Sequence, residues 1–242
     1  MSFIEKALIL HTSNDASVQY ANECAESCEK FGVPYELFLG VENCSIDDIK
    51  EIYDWDIDRF HYNPDWRKEY MCSFGHAFMW EKIADEGQTV AVLEHDAIVK
   101  TDLRKVNVED GYLSFLGYRM DSADDYEVPE NPEFEQFIVP RFFGTHGYGI
   151  TANTAQKCLD MLQRKMPMPI DGVISINNLL GLKRTIVVPN PIVGVVRGKS
   201  QTMKHEQAER RNILPPECWW DNVVNKHKYT KTYHIHDAVI EF

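Results

Sequence analysis

The run Thr89-Val90-Ala91-Val92-Leu93-Glu94-His95-Asp96 carries the densest chemistry in this chain. A β-branched, apolar stretch ends abruptly in two acids before apolar residues resume at Ala97-Ile98-Val99. On an extended backbone residues i and i+2 project to one side, so Glu94 and Asp96 share a face and His95 takes the other. Two carboxylates so close repel each other. A divalent cation such as Mn²⁺ or Mg²⁺ resolves the conflict, because hard cations prefer carboxylate oxygen. The plainer reading is a strand running into a turn with its acids solvated, and the tripeptide alone is compatible with both.

The surrounding pattern says what must hold these residues. Ala7–His11 reads as a strand that ends in the polar turn Thr12-Ser13-Asn14-Asp15. Ser17–Phe31 follows as an amphipathic helix stopped by Gly32, and Tyr35–Gly40 is a second strand. A β-α-β opening implies a parallel sheet. A helix over Ser73–Glu86, Gly87 at its end and the strand Thr89–Leu93 make the next unit, with a further strand at Tyr112–Gly117. Arg119–Phe137 holds seven acids and two prolines and reads as a long exposed loop. Regular structure is expected again at Arg141–Ile150, in helices over Asn153–Arg164 and Asp171–Leu182, and in a strand at Thr185–Val188. Open α/β sheets bind ligands beyond the carboxyl ends of their parallel strands. His11, Thr12 and Ser13 share such a position with Glu94, His95 and Asp96, so all six are expected at one crevice.

Composition narrows the function classes. A formal net charge of −13 argues against tight binding to duplex nucleic acid, which needs many phosphate-neutralising cations. The charge is uneven: residues 1–182 carry 32 acids against 15 Lys and Arg, and residues 183–242 carry 6 against 10. That mildly basic quarter suits a phosphorylated ligand as well as it suits a solvated surface. No run of ~18 apolar residues is present to span a membrane. The N-terminus lacks the pattern of a signal peptide, and six scattered cysteines read as reduced thiols, so a cytoplasmic protein is expected.

With these residues assembled, the chain resembles glycosyltransferase family 25, which includes lipooligosaccharide and collagen galactosyltransferases. The family pattern runs Cys, two residues, Ser-His, an aromatic-rich helix with Trp-Glu-Lys, then a strand ending Leu-Glu-Asp-Asp. Here Cys72-Ser73-Phe74-Gly75-His76 leads into Trp80-Glu81-Lys82, and Leu93-Glu94-His95-Asp96 follows. Gly147-Tyr148-Gly149-Ile150 is similar to the family's Ala-Tyr-Leu-Ile segment, and Pro169-Ile170-Asp171 to its Pro-Val-Asp. The chain departs from the pattern in three places: His11–Asp15 replaces an Asn-Leu-Asp-Arg run, Gly75 replaces Ser and His95 replaces Asp.

The resemblance implies a type A glycosyltransferase fold: an α/β, mostly parallel, Rossmann-like sheet with flanking helices, binding a nucleotide sugar. It implies a metal-dependent, inverting transfer of a hexose from a UDP-sugar to a saccharide or glycoconjugate acceptor, with lipopolysaccharide biosynthesis as the setting. The metal, Mn²⁺ or Mg²⁺, falls to Glu94 and Asp96. Type A enzymes often complete the shell near the C-terminus, where His234 and His236 share one face of an extended segment; they also read as surface histidines. Asp171 is the expected base, and equally a good helix N-cap. His11, Thr12, Ser13, His76, His95, Arg197 and Lys199 are expected on the donor side, although His76 beside Phe78 and Trp80 also reads as a hydrogen-bonded core group. Arg197 to Arg211 is expected to form a lid over the donor. His146, Tyr148 and Trp220 are expected on the acceptor side, with core packing the other reading of the Trp219-Trp220 pair.

One domain is expected over residues 1–242: a nucleotide-binding half at 1–118, an acidic loop at 119–137, and an acceptor half with a C-terminal lid and tail at 138–242. Two other functions fit the same residues. One is a non-catalytic nucleotide-sugar or carbohydrate-binding protein of the same fold. The other is a phage-type transferase that glycosylates nucleobases.

Overall fold

The alternation of side chains along two central strands organises the molecule. β2 (Lys6–His11) sends Leu8 and Leu10 to one apolar cluster and Ala7 and Ile9 to another. β4 (Val90–Glu94) repeats this, with Val90 and Val92 on the first side and Ala91 and Leu93 on the second. A strand buried on both faces has no polar side to spare, which explains the uninterrupted apolar runs. The computed structural model describes residues 2–41, 66–120, 122–139, 145–162, 170, 173–174 and 181–195.

In chain order, β1 (Ser2–Phe3) and β2 precede helix α1 (Asp15–Lys30) and β3 (Tyr35–Leu39). Helix α2 (Trp66–Glu86) leads into β4, β5 (Ala97–Val99), a 3₁₀ turn (Leu103–Lys105), β6 (Asn107–Val108) and β7 (Tyr112–Phe115). β8 (Arg119–Met120), β9 (Glu135–Ile138) and β10 (Gly147–Ile150) follow. Helix α3 (Ala152–Leu162), β11 (Lys183–Val188) and β12 (Ile192–Val195) complete the described elements. The main sheet has seven strands in the order β3-β2-β4-β10-β7-β11-β9. Five of them run one way; β10 and β9 are reversed by their antiparallel pairing with β4 and β7, and with β11. The mixed but mostly parallel α/β sheet is the one expected. A second, three-stranded sheet, β5-β12-β8, lies beyond the turn that ends β4.

The two faces are covered differently. α1 buries Ser17, Ala21, Cys24, Ala25 and Cys28, a helical stripe that lies in the cluster with Ala7, Ile9 and Leu93. Asn14 caps it by accepting from the Ala16 N–H. α2 and α3 cover the other face, where Phe74, Ala77 and Trp80 meet Ala155, Cys158 and Leu159. Trp80 is fully buried, and truncation of such a side chain costs about 3–5 kcal/mol. Gly87 ends α2 at φ 70°, a left-handed conformation that favours glycine.

Three expectations change. α2 begins at Trp66, a full two turns before the expected Ser73. The acidic stretch is not loop throughout: β8 and β9 form at its two ends. Among the described residues β9 is the edge strand of the main sheet, paired by β11, and Glu135 on it is exposed. Tertiary pairing there overrides a poor local propensity. Finally, the small sheet uses β12, for which the sequence reading had no element. Most of the expected Asp171–Leu182 helix lies outside the described residues.

Candidate active site

The register of the sheet assembles the site. β2 and β4 are parallel neighbours with Leu10 opposite Glu94, so the turn after His11 and the acids after Leu93 lie side by side. β10 pairs antiparallel with β4, Gly147 opposite Leu93, which brings Thr145 and His146 against Glu94. The Glu94 N–H donates to the His146 carbonyl at 3.0 Å.

Glu94 continues the Val90–Val92 side of β4 and therefore faces α2, whereas His95 turns the other way and stacks on Tyr20 of α1 at 6.0 Å between ring centroids. Thr145 Oγ1 donates to Glu94 Oε1. His76 Nε2 stands 3.8 Å from that same oxygen, and His146 Nδ1 lies 3.9 Å from Oε2. Asp96 Oδ1 is 3.6 Å from His146 Nδ1. Ligand atoms of Glu94, Asp96 and His146 all fall within 4.8 Å of one another, and so do those of Cys72, His76 and Glu94. Burial works to raise the Glu94 carboxyl, but His76 and His146 outweigh it against the like charge of Asp96, and the group rests below the ordinary carboxylate range. Of the Glu94 side chain, 21% is open to solvent.

Two carboxylates and an imidazole around one point fit a divalent cation of the Mn²⁺ or Mg²⁺ kind, with the nitrogen favouring Mn²⁺. The imidazole of His146 is pinned by the backbone of β12. A Cβ built on Gly194 would stand 2.5 Å from His146 Cγ, so only glycine lets the small sheet approach this closely.

The expected residues divide in place. His11 sits at the end of β2 with Nδ1 3.0 Å from the Thr12 carbonyl, and the Thr12 N–H donates to Ser17 Oγ. Thr12, Ser13 and His11 thus border the acids. His76 and Tyr148 are both fully buried, because α2 and β10 turn them into the core. His76 lies under Glu94, and Tyr148 lies beside it in the core. His146 turns its Nδ1 toward the acids. Gly75, where the family has Ser, faces Leu10 in the core, 2.9 Å from where its Cβ would be. Asp171, Arg197, Lys199, Trp220, His234 and His236 lie outside the described residues. Thr145 and the carboxylate-facing role of His146 escaped the sequence reading. The signal lies in the β4–β10 pairing, which joins residues about fifty positions apart.

The family model of glycosyltransferase family 25, described as an LPS biosynthesis protein, matches residues 16–174 of the 242. The chain belongs to glycosyltransferase family 25. Its first and last matched residues bracket Cys72–His76, Glu94–Asp96 and Gly147–Ile150. No curated protein matches the chain. Among solved structures it is similar to the glycosyltransferase GlyE of Streptococcus pneumoniae TIGR4, at 11% identity and a TM-score of 0.42, over 91% of this chain and 63% of GlyE. It is also similar to the galactosyltransferase LgtC in complex with donor and acceptor sugar analogs, at 11% identity and a TM-score of 0.43, over 93% of this chain and 97% of LgtC. A glycosyltransferase involved in glycosylation of the major capsid of PBCV-1 is similar at 11% identity and a TM-score of 0.36, over 85% of this chain and 99% of that one. Among the described residues no helix is long and apolar enough to cross a membrane.

Proposed function

We propose that this family 25 protein transfers a hexose from a UDP-sugar to a saccharide or glycoconjugate acceptor with inversion, in the cytoplasm, using a divalent cation held by Glu94 and Asp96. One observation carries the reading: Glu94, Asp96 and His146 converge at the carboxyl ends of adjacent parallel strands, where open α/β sheets take their ligands. A bound Mn²⁺ or Mg²⁺ would supply Lewis-acid assistance to the departing diphosphate. The protein's own part is to hold two carboxylates side by side and to offer the donor the His11-Thr12-Ser13 turn. Residues 1–118 form the donor half in this reading, and residues from 138 onward the acceptor half.

An inverting transfer needs a base that takes the acceptor proton as the hydroxyl attacks. Asp171 fills that role here, from its match to the family's Pro-Val-Asp. Arg197 and Lys199 meet the diphosphate from a lid, and His234 or His236 adds an imidazole to the cation; these four residues rest on the sequence alone.

The test is hydrolysis and transfer from a panel of nucleotide sugars by the purified protein with Mn²⁺. UDP-sugar turnover that EDTA stops is the expected result. Turnover unaffected by EDTA and by Asp96→Asn would remove the cation from the mechanism. Tight UDP-sugar binding with no turnover on any acceptor would leave a binding protein of the same fold.

A further inference from the structure

His76 is a buried titratable group for which donor binding has no use. It is fully enclosed, its Nδ1 lies 2.8 Å from the Tyr148 hydroxyl, and its Nε2 has no hydrogen-bond partner among the described residues. Tyr148 is also fully buried, and the Trp80 indole N–H donates to its oxygen at 2.9 Å. Counting hydrogens settles the direction of this chain. An indole nitrogen only donates, so it takes a lone pair of the Tyr148 oxygen. A phenol holds its hydrogen at neutral pH, so the Tyr148 hydroxyl has one to give. The acceptor within reach of that hydrogen among the described residues is His76 Nδ1. A neutral imidazole whose Nδ1 accepts must carry its hydrogen on Nε2, the nitrogen facing Glu94 Oε1 at 3.8 Å.

The two oxygens of Glu94 therefore have different surroundings. Oε1 takes the Thr145 hydroxyl and faces His76, while Oε2 is the oxygen nearer His146. We infer that His76 is a positioning residue: the Trp80–Tyr148–His76 chain presents an N–H to Oε1 of Glu94 and so orients the carboxylate with Oε2 toward the cation position. The effect on cation binding rests on the reading of Glu94 as a ligand; the direction of the chain does not. At 3.8 Å the attraction is that of a dipole for a charge, and it gains strength from the enclosed surroundings.

The competing assignment makes His76 itself a ligand, with Cys72 and Glu94, for a soft metal such as Zn²⁺. That requires a bare Nε2, so the two assignments predict opposite tautomers. Long-range ¹⁵N–¹H correlation on the full chain labelled with ¹⁵N-histidine reads the tautomer directly. His76 should hold its hydrogen on Nε2 in the parent and lose that preference in Tyr148→Phe. Free Mn²⁺, followed by electron paramagnetic resonance, then reads the consequence. His76→Leu should weaken Mn²⁺ binding about tenfold, the scale for an outer-sphere partner of a ligand. His76→Gln, whose amide restores an N–H, should recover most of it.

A hydrogen on Nδ1 in the parent would overturn the inference whatever the variants do. A thiolate-to-cobalt charge-transfer band in the Co²⁺-loaded protein, absent from Cys72→Ser, would overturn it in favour of ligation. Equal Mn²⁺ affinity in parent and His76→Leu would also overturn it. A parent that binds no Mn²⁺ would instead sink the proposed cation and with it any role of His76 toward one, while the tautomer result would still judge the hydrogen-bond chain.

Discussion

Two acids at strand ends, Asp110 and Glu94, each receive a hydroxyl hydrogen from a threonine, yet their surroundings differ. Asp110 precedes β7 and takes hydrogen bonds from Thr151 Oγ1 and from Asn153 Nδ2 at 3.1 Å. These two side-chain bonds hold its carboxyl below the ordinary range. Thr151 in turn accepts from the Thr154 N–H, and Thr154 accepts from the Gly111 N–H, so the acid closes a cap on α3. Glu94 has the same kind of threonine partner but also faces a second acid and two imidazoles. The side-chain bonds of Asp110 tie it to the start of α3. Glu94 faces a like charge as well, and in the proposed function a cation answers it.

The largest separation of the two should come from neutralising each region. Asp96→Asn is expected to cut Mn²⁺-dependent turnover about 10²–10³-fold, the scale of one lost electrostatic contact in a transition state. Its thermal midpoint should stay near the parent's. Asp110→Asn should do the reverse, with parental turnover and a lowered midpoint. Steady-state rates and melting curves on the same samples decide it, and the comparison breaks if Asp96→Asn turns over normally.

Next in size is His146→Ala, which should weaken Mn²⁺ binding by about tenfold or more. Titration of free Mn²⁺ measures it. If affinity is unchanged, His146 merely packs on Gly194.

Thr151→Ala comes third, at about 1 kcal/mol for a lost N-cap. For a chain of this size that is a fall of roughly 2–4 °C in midpoint. Activity per folded molecule should not move.

The smallest effect is in pH. Asp110 has a folded-state value below its unfolded one, so its contribution is complete above the ordinary carboxylate range and is lost as pH falls through the folded value. The stability gap between parent and Asp110→Asn should therefore be flat from neutral pH down to that range and close on further acidification. Its exposed position and salt screening keep the gap small. Urea unfolding at a series of pH values checks the sign, and a gap that widens in acid would refute it.

What the residues alone determined are the local elements and the family. Period-2 apolar runs make β2 and β4 legible, and a strand that ends in Glu94-His95-Asp96 announces its chemistry because such acids suit neither core nor neighbour. The stripe Ser17–Cys28 makes α1 legible in the same way. The tertiary structure decided which groups meet. The reversed strand β10 slides between β4 and β7 and delivers Thr145 and His146 to Glu94, turns Tyr148 inward and closes it onto Trp80 and His76. Nothing local in Gly147-Tyr148-Gly149-Ile150 says which strand it will join, since any β-capable run pairs equally well until the sheet order is set. Gly194 is likewise mute in one dimension and becomes necessary only when β12 lies against the His146 ring. Contacts between distant strands are paid for by loop closure and burial across the whole sheet, and that balance belongs to the fold and not to any window of sequence.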